Sequence, residues 1–134
     1  MTIVDTSVWI DYLDGRANIH TEWLDQRIGT LQVGLTDLIL CEVLQGIRDE
    51  VVFRRTQKEL LQFELLSSGG EALAVKSAVN YRTLRSRGHT VRKTIVCLIA
   101  TVSMEGRHSL LHRDRDFDAF EQYLGLQVIH PRAV

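Results

Sequence analysis

Short apolar runs alternate along this chain with longer segments in which apolar residues recur every three or four positions. The short runs predict strands at residues 2–5, 32–35, 63–66, 109–111 and 126–129. The longer segments predict helices at residues 6–14, 19–28, 38–47, 52–63, 72–87, 91–105 and 116–124. Because strands that alternate with helices form βαβ units, we expect an α/β fold with a mostly parallel central sheet between two layers of helices.

The composition is that of one globular domain over residues 1–134, with 45% hydrophobic and 25% charged residues. No apolar run approaches the roughly 18 residues that cross a bilayer, and the first residues lack the features of a secretion signal. We therefore expect a cytoplasmic protein with no membrane contact. Cys41 and Cys97 lie in apolar helical runs, outside any zinc-binding spacing, and are predicted to be buried thiols.

Four carboxylates stand at positions where chemistry is expected in such a fold. Asp5 ends the first predicted strand, Asp114 and Asp116 follow the strand at 109–111, and Glu42 is the only charge in an apolar helical run. Ligands of parallel α/β sheets bind beyond the carboxyl ends of the strands. There, several carboxylates can hold Mg²⁺ or Mn²⁺, and such a site suits hydrolysis of phosphodiesters.

Each of these acids also has an ordinary structural interpretation. Asp5 can cap the helix that begins at Thr6, and Asp114 or Asp116 can cap the helix that begins near Phe117. Glu42 can pair with an Arg or Lys from another helix, since an ionised carboxylate among apolar side chains needs a partner. Taken one at a time, these structural roles are favoured; taken together, the four acids favour a shared site.

The segments that carry these acids resemble, in order and spacing, the motifs of PIN-domain ribonucleases, and more narrowly those of VapC-type toxins from bacterial toxin–antitoxin pairs. The segments are VDTSVWID at 4–11, CEVLQG at 41–46, GHTVR at 88–92 with IVCLIA at 95–100, and LLHRDRDF at 110–117. The resemblance covers nearly the whole chain. One such motif would carry little weight, but four in register are specific.

The resemblance implies a PIN fold, cleavage of RNA with Mg²⁺ or Mn²⁺, a homodimer, and inhibition by a cognate VapB-type antitoxin through which alone operator DNA is contacted. It makes Asp5 the central metal ligand, Glu42 the second acid, Asp114 a further ligand and Asp116 an auxiliary one. The hydroxyl of Thr6 or Ser7 would hold a ligand or a water molecule.

The third acid of the family pattern falls at position 96, where this chain has Val. A valine side chain offers no oxygen to a metal or to its water, so we expect weakened metal binding and a large loss of rate. Two explanations remain open: a substitution that disarms a toxic nuclease for production, which the otherwise intact motifs favour, and a naturally degenerate toxin.

Basic residues accompany the acidic segments and would hold an RNA backbone, with binding that weakens as salt rises. The candidates are Arg82, Arg85, Arg87, Arg92, Lys93, Arg113 and Arg115. The cluster at 82–87 is equally consistent with a solvated helix face. Arg113 and Arg115 are equally able to pair with Asp114 and Asp116.

Two other functions are consistent with parts of the sequence. The first is a non-catalytic partner that dimerises and binds the antitoxin without cutting RNA, which Val96 supports. The second is a phosphoacceptor receiver domain, which shares the length and the alternating α/β pattern. A receiver needs adjacent acids after its first strand and a Lys after a late strand; Asp5 stands alone, so this function is disfavoured.

Overall fold

Five parallel strands form the central sheet of the computed structural model, which describes residues 1–30 and 32–132. The strands are β1 (Thr2–Val4), β2 (Val33–Thr36), β3 (Glu64–Leu66), β4 (Ser109–Leu111) and β5 (Gln127–Val128). Every predicted strand is present, within one residue at most ends; β5 is shorter than its apolar run. All pairs are parallel, so the expected α/β class with a parallel sheet is confirmed.

Seven α-helices connect these strands within the described residues. They are α1 (Thr6–Leu13), α2 (Ile19–Arg27), α3 (Asp37–Gln45), α4 (Glu50–Leu60), α5 (Glu71–Ser86), α6 (Thr94–Glu105) and α7 (Asp118–Leu124), with a 3₁₀ turn at Arg115–Phe117 before α7. Three predicted starts were wrong. Helix α7 begins two residues later than predicted, because residues 115–117 form the 3₁₀ turn. Helix α4 begins earlier because the Asp49 side chain accepts a hydrogen bond from the backbone N of Val52. Helix α6 begins three residues later, because Lys93 is still extended.

The strand order is β3-β2-β1-β4-β5. From β1 the chain therefore adds β2 and β3 on one side of that strand, and then crosses back to add β4 and β5 on its other side. Since parallel crossovers are right-handed, this reversal puts the helices α1–α4 on one face of the sheet and α5–α7 on the other. The reversal lies between β1 and β4, which is where α/β folds hold their ligands.

Strands β1 and β4 end level with each other. Val4 pairs with Leu111, and the backbone N of Asp5 donates to the carbonyl of Leu111 at 2.9 Å. The residues that follow these two strands, from Asp5 and from His112 onward, thus emerge side by side.

The core lies on both faces of this central strand pair. Its largest fully buried side chains are Trp9 on one face, and Phe117 and Phe120 from the segment after β4. Cys97 is buried as predicted, but Cys41 is exposed because α3 turns that position outward. No helix among the described residues is long and apolar enough to cross a membrane.

Candidate active site at the carboxyl ends of β1 and β4

Asp5 lies at the centre of the site, between the end of β1 and the start of α1. It caps α1, as its sequence position predicts: Oδ2 accepts hydrogen bonds from the backbone N of Ser7 at 3.1 Å and from Ser7 Oγ at 2.7 Å. The residue is only 4% exposed. The pKa of Asp5 is raised to about 6, chiefly by burial; the two hydrogen bonds from Ser7 oppose the rise, and the nearby charges of Glu42 and Asp114 add to it.

Glu42 reaches the site from α3. Its Oε1 accepts a hydrogen bond from Thr6 Oγ1 at 2.8 Å, although the two residues are 36 positions apart. The pairing with an Arg or Lys that the sequence allowed is not found among the described residues; the hydroxyl of Thr6 takes that place. Since Glu42 also raises the pKa of Asp5, the two carboxylates are close enough to repel each other.

Asp114 enters from the segment after β4. Its Oδ1 accepts from the backbone N of Asp116 at 2.9 Å and so caps the 3₁₀ turn, which is the capping role that the sequence allowed. The backbone N of the preceding residue, Arg113, donates to Ser7 Oγ at 3.0 Å. Ser7 therefore joins the Asp5 carboxylate to the segment that carries Asp114.

Asp116 takes a different position from the other three acids. It lines a cavity of about 310 Å³ together with Gly88, His89, Thr90 and Asp118. It is not among the charges that shift the pKa of Asp5, whereas Glu42 and Asp114 are. The structure thus gathers Asp5, Glu42 and Asp114, and places Asp116 on the neighbouring wall.

Val96 lies in the first turn of α6 and is only 3% exposed. Helix α6 packs against both α3 and the 3₁₀ turn, the elements that carry Glu42 and Asp116. The position that the family pattern assigns to an acid is therefore filled by an apolar side chain next to the acidic elements.

Comparison with known families decides the classification. The profile of the PIN domain matches residues 2–122. This chain belongs to the PIN domain family. The other matches agree: "VapC ribonuclease Mb1587" of Mycobacterium bovis and "Ribonuclease VapC11" of Mycobacterium tuberculosis are each 29% identical over an alignment of 136 positions that covers 95% of this chain and 96% of theirs.

Solved structures show the same fold. FitAcB from Neisseria gonorrhoeae superposes with a TM-score of 0.77 at 21% identity, covering 98% of both chains. VapBC2 from Rickettsia felis, bound to a DNA fragment from its promoter, gives a TM-score of 0.74 at 14% identity over 96% of both chains. The expected PIN fold is confirmed.

The acidic side chains of this PIN domain are of the type that binds a hard divalent cation. Carboxylate oxygens are the ligands that Mg²⁺ and Mn²⁺ prefer, and the buried Asp5 has no cationic partner among the described residues to offset its charge. Their arrangement does not form a complete site: within residues 1–30 and 32–132, no three His, Cys, Asp or Glu side chains are arranged to hold a metal.

The candidate RNA-binding residues of the PIN domain fall into three groups. Arg82 and Arg85 lie on the exposed side of α5, where Arg85 sits over the ring of Tyr81. The second group is exposed and consists of Arg87, Arg92, Lys93 and Arg115; Arg115 lines the cavity beside Asp116, and the other three lie within two positions of its lining residues along the chain. The third is Arg113 alone, which pairs with the carboxylate of Asp11 and not with Asp114.

Two residues near the site were missed by sequence reasoning. Asp11, which the sequence shows only as the last residue of the segment at 4–11, is buried and accepts a hydrogen bond from the Arg113 guanidinium. His112 accepts a hydrogen bond from the backbone N of Asp114 at 3.1 Å through Nδ1, and burial lowers its pKa. The available signals were a charge inside an apolar helical run for Asp11 and, for His112, its place directly after a buried strand.

Proposed function

We propose that this PIN domain, spanning the chain as a single domain, is an endoribonuclease toxin of the VapC type that cleaves RNA phosphodiesters with Mg²⁺ or Mn²⁺. The observation that carries the proposal is the placement of Asp5, Glu42 and Asp114 around the start of α1 at the topological reversal of the sheet, linked through the hydroxyls of Thr6 and Ser7. The burial of Asp5 and the repulsion from the other two carboxylates are costly unless a cation joins them. The relatives named as VapC ribonucleases support the RNA substrate.

Asp5, Glu42 and Asp114 would hold the ion, with Asp116 as an auxiliary acid. A bound divalent cation would stabilise the negative charge that develops on the phosphate as water attacks phosphorus and the bond to the leaving ribose oxygen breaks. Ser7 fixes the orientation of Asp5 through two hydrogen bonds. Thr6 engages Oε1 of Glu42, which leaves Oε2 to bind the ion or to accept a hydrogen bond from the attacking water.

The proposal includes impaired catalysis in this chain. Val96 contributes no oxygen to the ion and no acceptor to a water molecule, and its side chain is buried in the first turn of α6. We expect the ion to bind weakly and the rate to fall by a factor of at least a hundred, since losing a direct ligand costs more than the 10- to 100-fold typical of losing a ligand's supporting contact.

Exposed basic residues would bind the RNA backbone along the same edge. The candidates are Arg82, Arg85, Arg87, Arg92, Lys93 and Arg115. Arg115 lines the cavity beside Asp116, so a phosphate held by it would lie close to that acid. Arg113 is no longer in this group, because its guanidinium is taken by Asp11.

The proposed partners are a cognate VapB-type antitoxin and a second copy of this chain, with operator DNA bound only through the antitoxin. The solved structures that share the fold include VapBC complexes, one of them bound to promoter DNA. A cytoplasmic location follows from the RNA substrate that we propose.

The test is cleavage of a labelled RNA pool by the chain and by its Val96→Asp variant, each with Mg²⁺, with Mn²⁺ and with a chelator. We expect cleavage by the variant only, and none in chelator. Val96→Asn is the matched control, because an asparagine side chain has a shape and polarity similar to those of aspartate but carries no charge. A second control, Val96→Asp with Asp5→Asn, should be inactive.

If neither form cuts RNA while both remain folded, the nuclease proposal fails. The second function then takes its place: a partner that binds antitoxin without catalysis, as the missing acid favours. Co-expression with the cognate antitoxin would then show a stable complex whose formation is unaffected by Val96→Asp.

A further inference from the structure

Asp11 is a buried carboxylate that the proposed mechanism does not use. It lies on α1, and its side chain is 10% exposed. It accepts from the guanidinium of Arg113 and, at 3.1 Å, from Asn18 Nδ2, while Arg16 Nη1 lies 4.0 Å away. A buried charge with this many donors is held firmly, because each donor offsets part of its lost hydration.

Arg113 is bound to α1 at two points. Its guanidinium reaches Asp11, and its backbone N donates to Ser7 Oγ at 3.0 Å. Ser7 stands near the first residue of α1 and Asp11 four residues later, about 6 Å along the helix axis. Two attachments separated by this distance fix both the place and the orientation of the segment.

The residue attached in this way directly precedes Asp114. On the N-terminal side of Arg113, Nδ1 of His112 accepts a hydrogen bond from the backbone N of Asp114. The Asp114 carboxylate in turn accepts a hydrogen bond from the backbone N of Asp116. The direction of the Asp114 carboxylate is thus set by the segment that follows β4. Among the described residues, the pair between Arg113 and Asp11 is the only side-chain ion pair that joins this segment to α1.

An RNA-binding role for Arg113 is disfavoured by the same contact. Its charge is already balanced by a buried carboxylate, so moving it to a phosphate would leave Asp11 without its main partner. Arg115, two residues on, is exposed and has no ion pair among the described residues. The two arginines that flank Asp114 therefore have different tasks.

We propose that Asp11 and Arg113 are positioning residues, which hold Asp114 against Asp5 and do not touch RNA. The catalytic part of this inference rests on the proposed ribonuclease function. It predicts that breaking the pair lowers kcat and leaves KM for RNA unchanged, whereas removing the exposed Arg115 raises KM.

The kinetic test uses the Val96→Asp form as the starting enzyme. We expect Asp11→Asn and Arg113→Gln each to lower kcat about tenfold, their combination to lower it no further, and Arg113→Lys to retain most of the rate. Arg115→Ala should raise KM with little change in kcat. A raised KM for Arg113→Gln, equal to that of Arg115→Ala, would overturn the inference, because it would show contact with RNA.

The second test needs neither metal nor RNA and uses the chain with Val96. Amide hydrogen exchange, measured by NMR, should be at least tenfold faster at Arg113 and Asp116 in Asp11→Asn than in the parent chain, and unchanged in Arg115→Ala. Unchanged exchange in Asp11→Asn would overturn the inference. If exchange responds as expected while no form cuts RNA, the ribonuclease proposal fails and the positioning of Asp114 stands.

Discussion

The hydroxyl of Thr6 donates to Oε1 of Glu42 over 2.8 Å and joins α1 to α3 next to the Asp5 carboxylate. It gives the half-buried Glu42, a charge in an otherwise apolar helical run, a hydrogen-bond donor from a neighbouring helix. The site is assembled by such hydroxyls: Thr6 orients Glu42, and Ser7 orients Asp5.

Replacing Thr6 should loosen Glu42. Thr6→Val keeps the shape but removes the donor, so we expect a loss of about 1 kcal/mol in the free energy of unfolding, the size typical of one hydrogen bond. Thr6→Ser keeps the donor and should lose less than half of that. Urea denaturation of the two variants measures both values; a loss in Thr6→Ser as large as that in Thr6→Val, or larger, would contradict the prediction, because the methyl group would then contribute at least as much as the hydroxyl.

The raised pKa of Asp5 makes stability depend on pH. In the unfolded chain Asp5 ionises near 3.8, and in the folded chain near 6, so between these values the folded state binds more protons. The contribution of Asp5 to stability is therefore full below about pH 4 and is lost as pH rises through 6. The difference of about two units corresponds to about 3 kcal/mol.

Comparison with Asp5→Asn isolates this effect, since the amide does not ionise. The stability of Asp5→Asn relative to the parent chain should rise by up to about 3 kcal/mol between pH 4 and pH 7.5. Denaturation at both pH values, without divalent cations, measures the change. A relative stability independent of pH would mean that Asp5 ionises normally in the folded chain.

Divalent cations should offset the loss of stability that ionisation of Asp5 causes. An ion that binds only the folded chain stabilises it in proportion to the logarithm of its concentration above Kd. Because protons compete for the same oxygens, the rise in Tm with Mn²⁺ should be larger at pH 7.5 than at pH 5. It should vanish in Asp5→Asn. A rise in Tm that persists in Asp5→Asn would place the ion elsewhere.

RNA binding should depend on the basic residues beside the Asp116 cavity. Removing a side chain that contacts one phosphate of a single strand lowers the slope of log affinity against log salt by about 0.7. We expect that change for Arg92→Ala and for Lys93→Ala, and none for Lys58→Ala on the exposed side of α4. Fluorescence anisotropy in chelator separates binding from cleavage; equal slopes for all three would remove this surface from the RNA path.

Much of the fold could be predicted from local patterns. The strands at 2–5 and 109–111 are recognisable because they are short, apolar and followed by capping residues, and Thr36 caps α3 as its position suggests. The start of α6 was placed too early, because the buried Val91 continues the helical period although its segment is still extended. The spacing of apolar residues indicates which side chains are buried, but it does not show whether the backbone that carries them is helical.

The site was predictable in its residues but not in its contacts. Strand ends identify Asp5 and Asp114, since the sheet topology brings neighbouring ends together. For Glu42 the sequence left open a basic residue or a metal as partner, and the structure shows a hydrogen bond from Thr6. For Arg113 it left open RNA or the neighbouring acids, and the structure shows an ion pair with Asp11. Contacts across 36 or 102 positions depend on how helices pack, which one sequence does not specify.

The most direct test of the acidic site is calorimetric titration of Mn²⁺ into the chain, into Val96→Asp, and into Val96→Asp with Asp5→Asn. If Asp5, Glu42 and Asp114 form a cation site that Val96 leaves incomplete, Val96→Asp should lower Kd at least tenfold, and the added Asp5→Asn should abolish that gain. Equal affinity in all three would contradict the account, because the ion would then bind without Asp5 and without an acid at position 96.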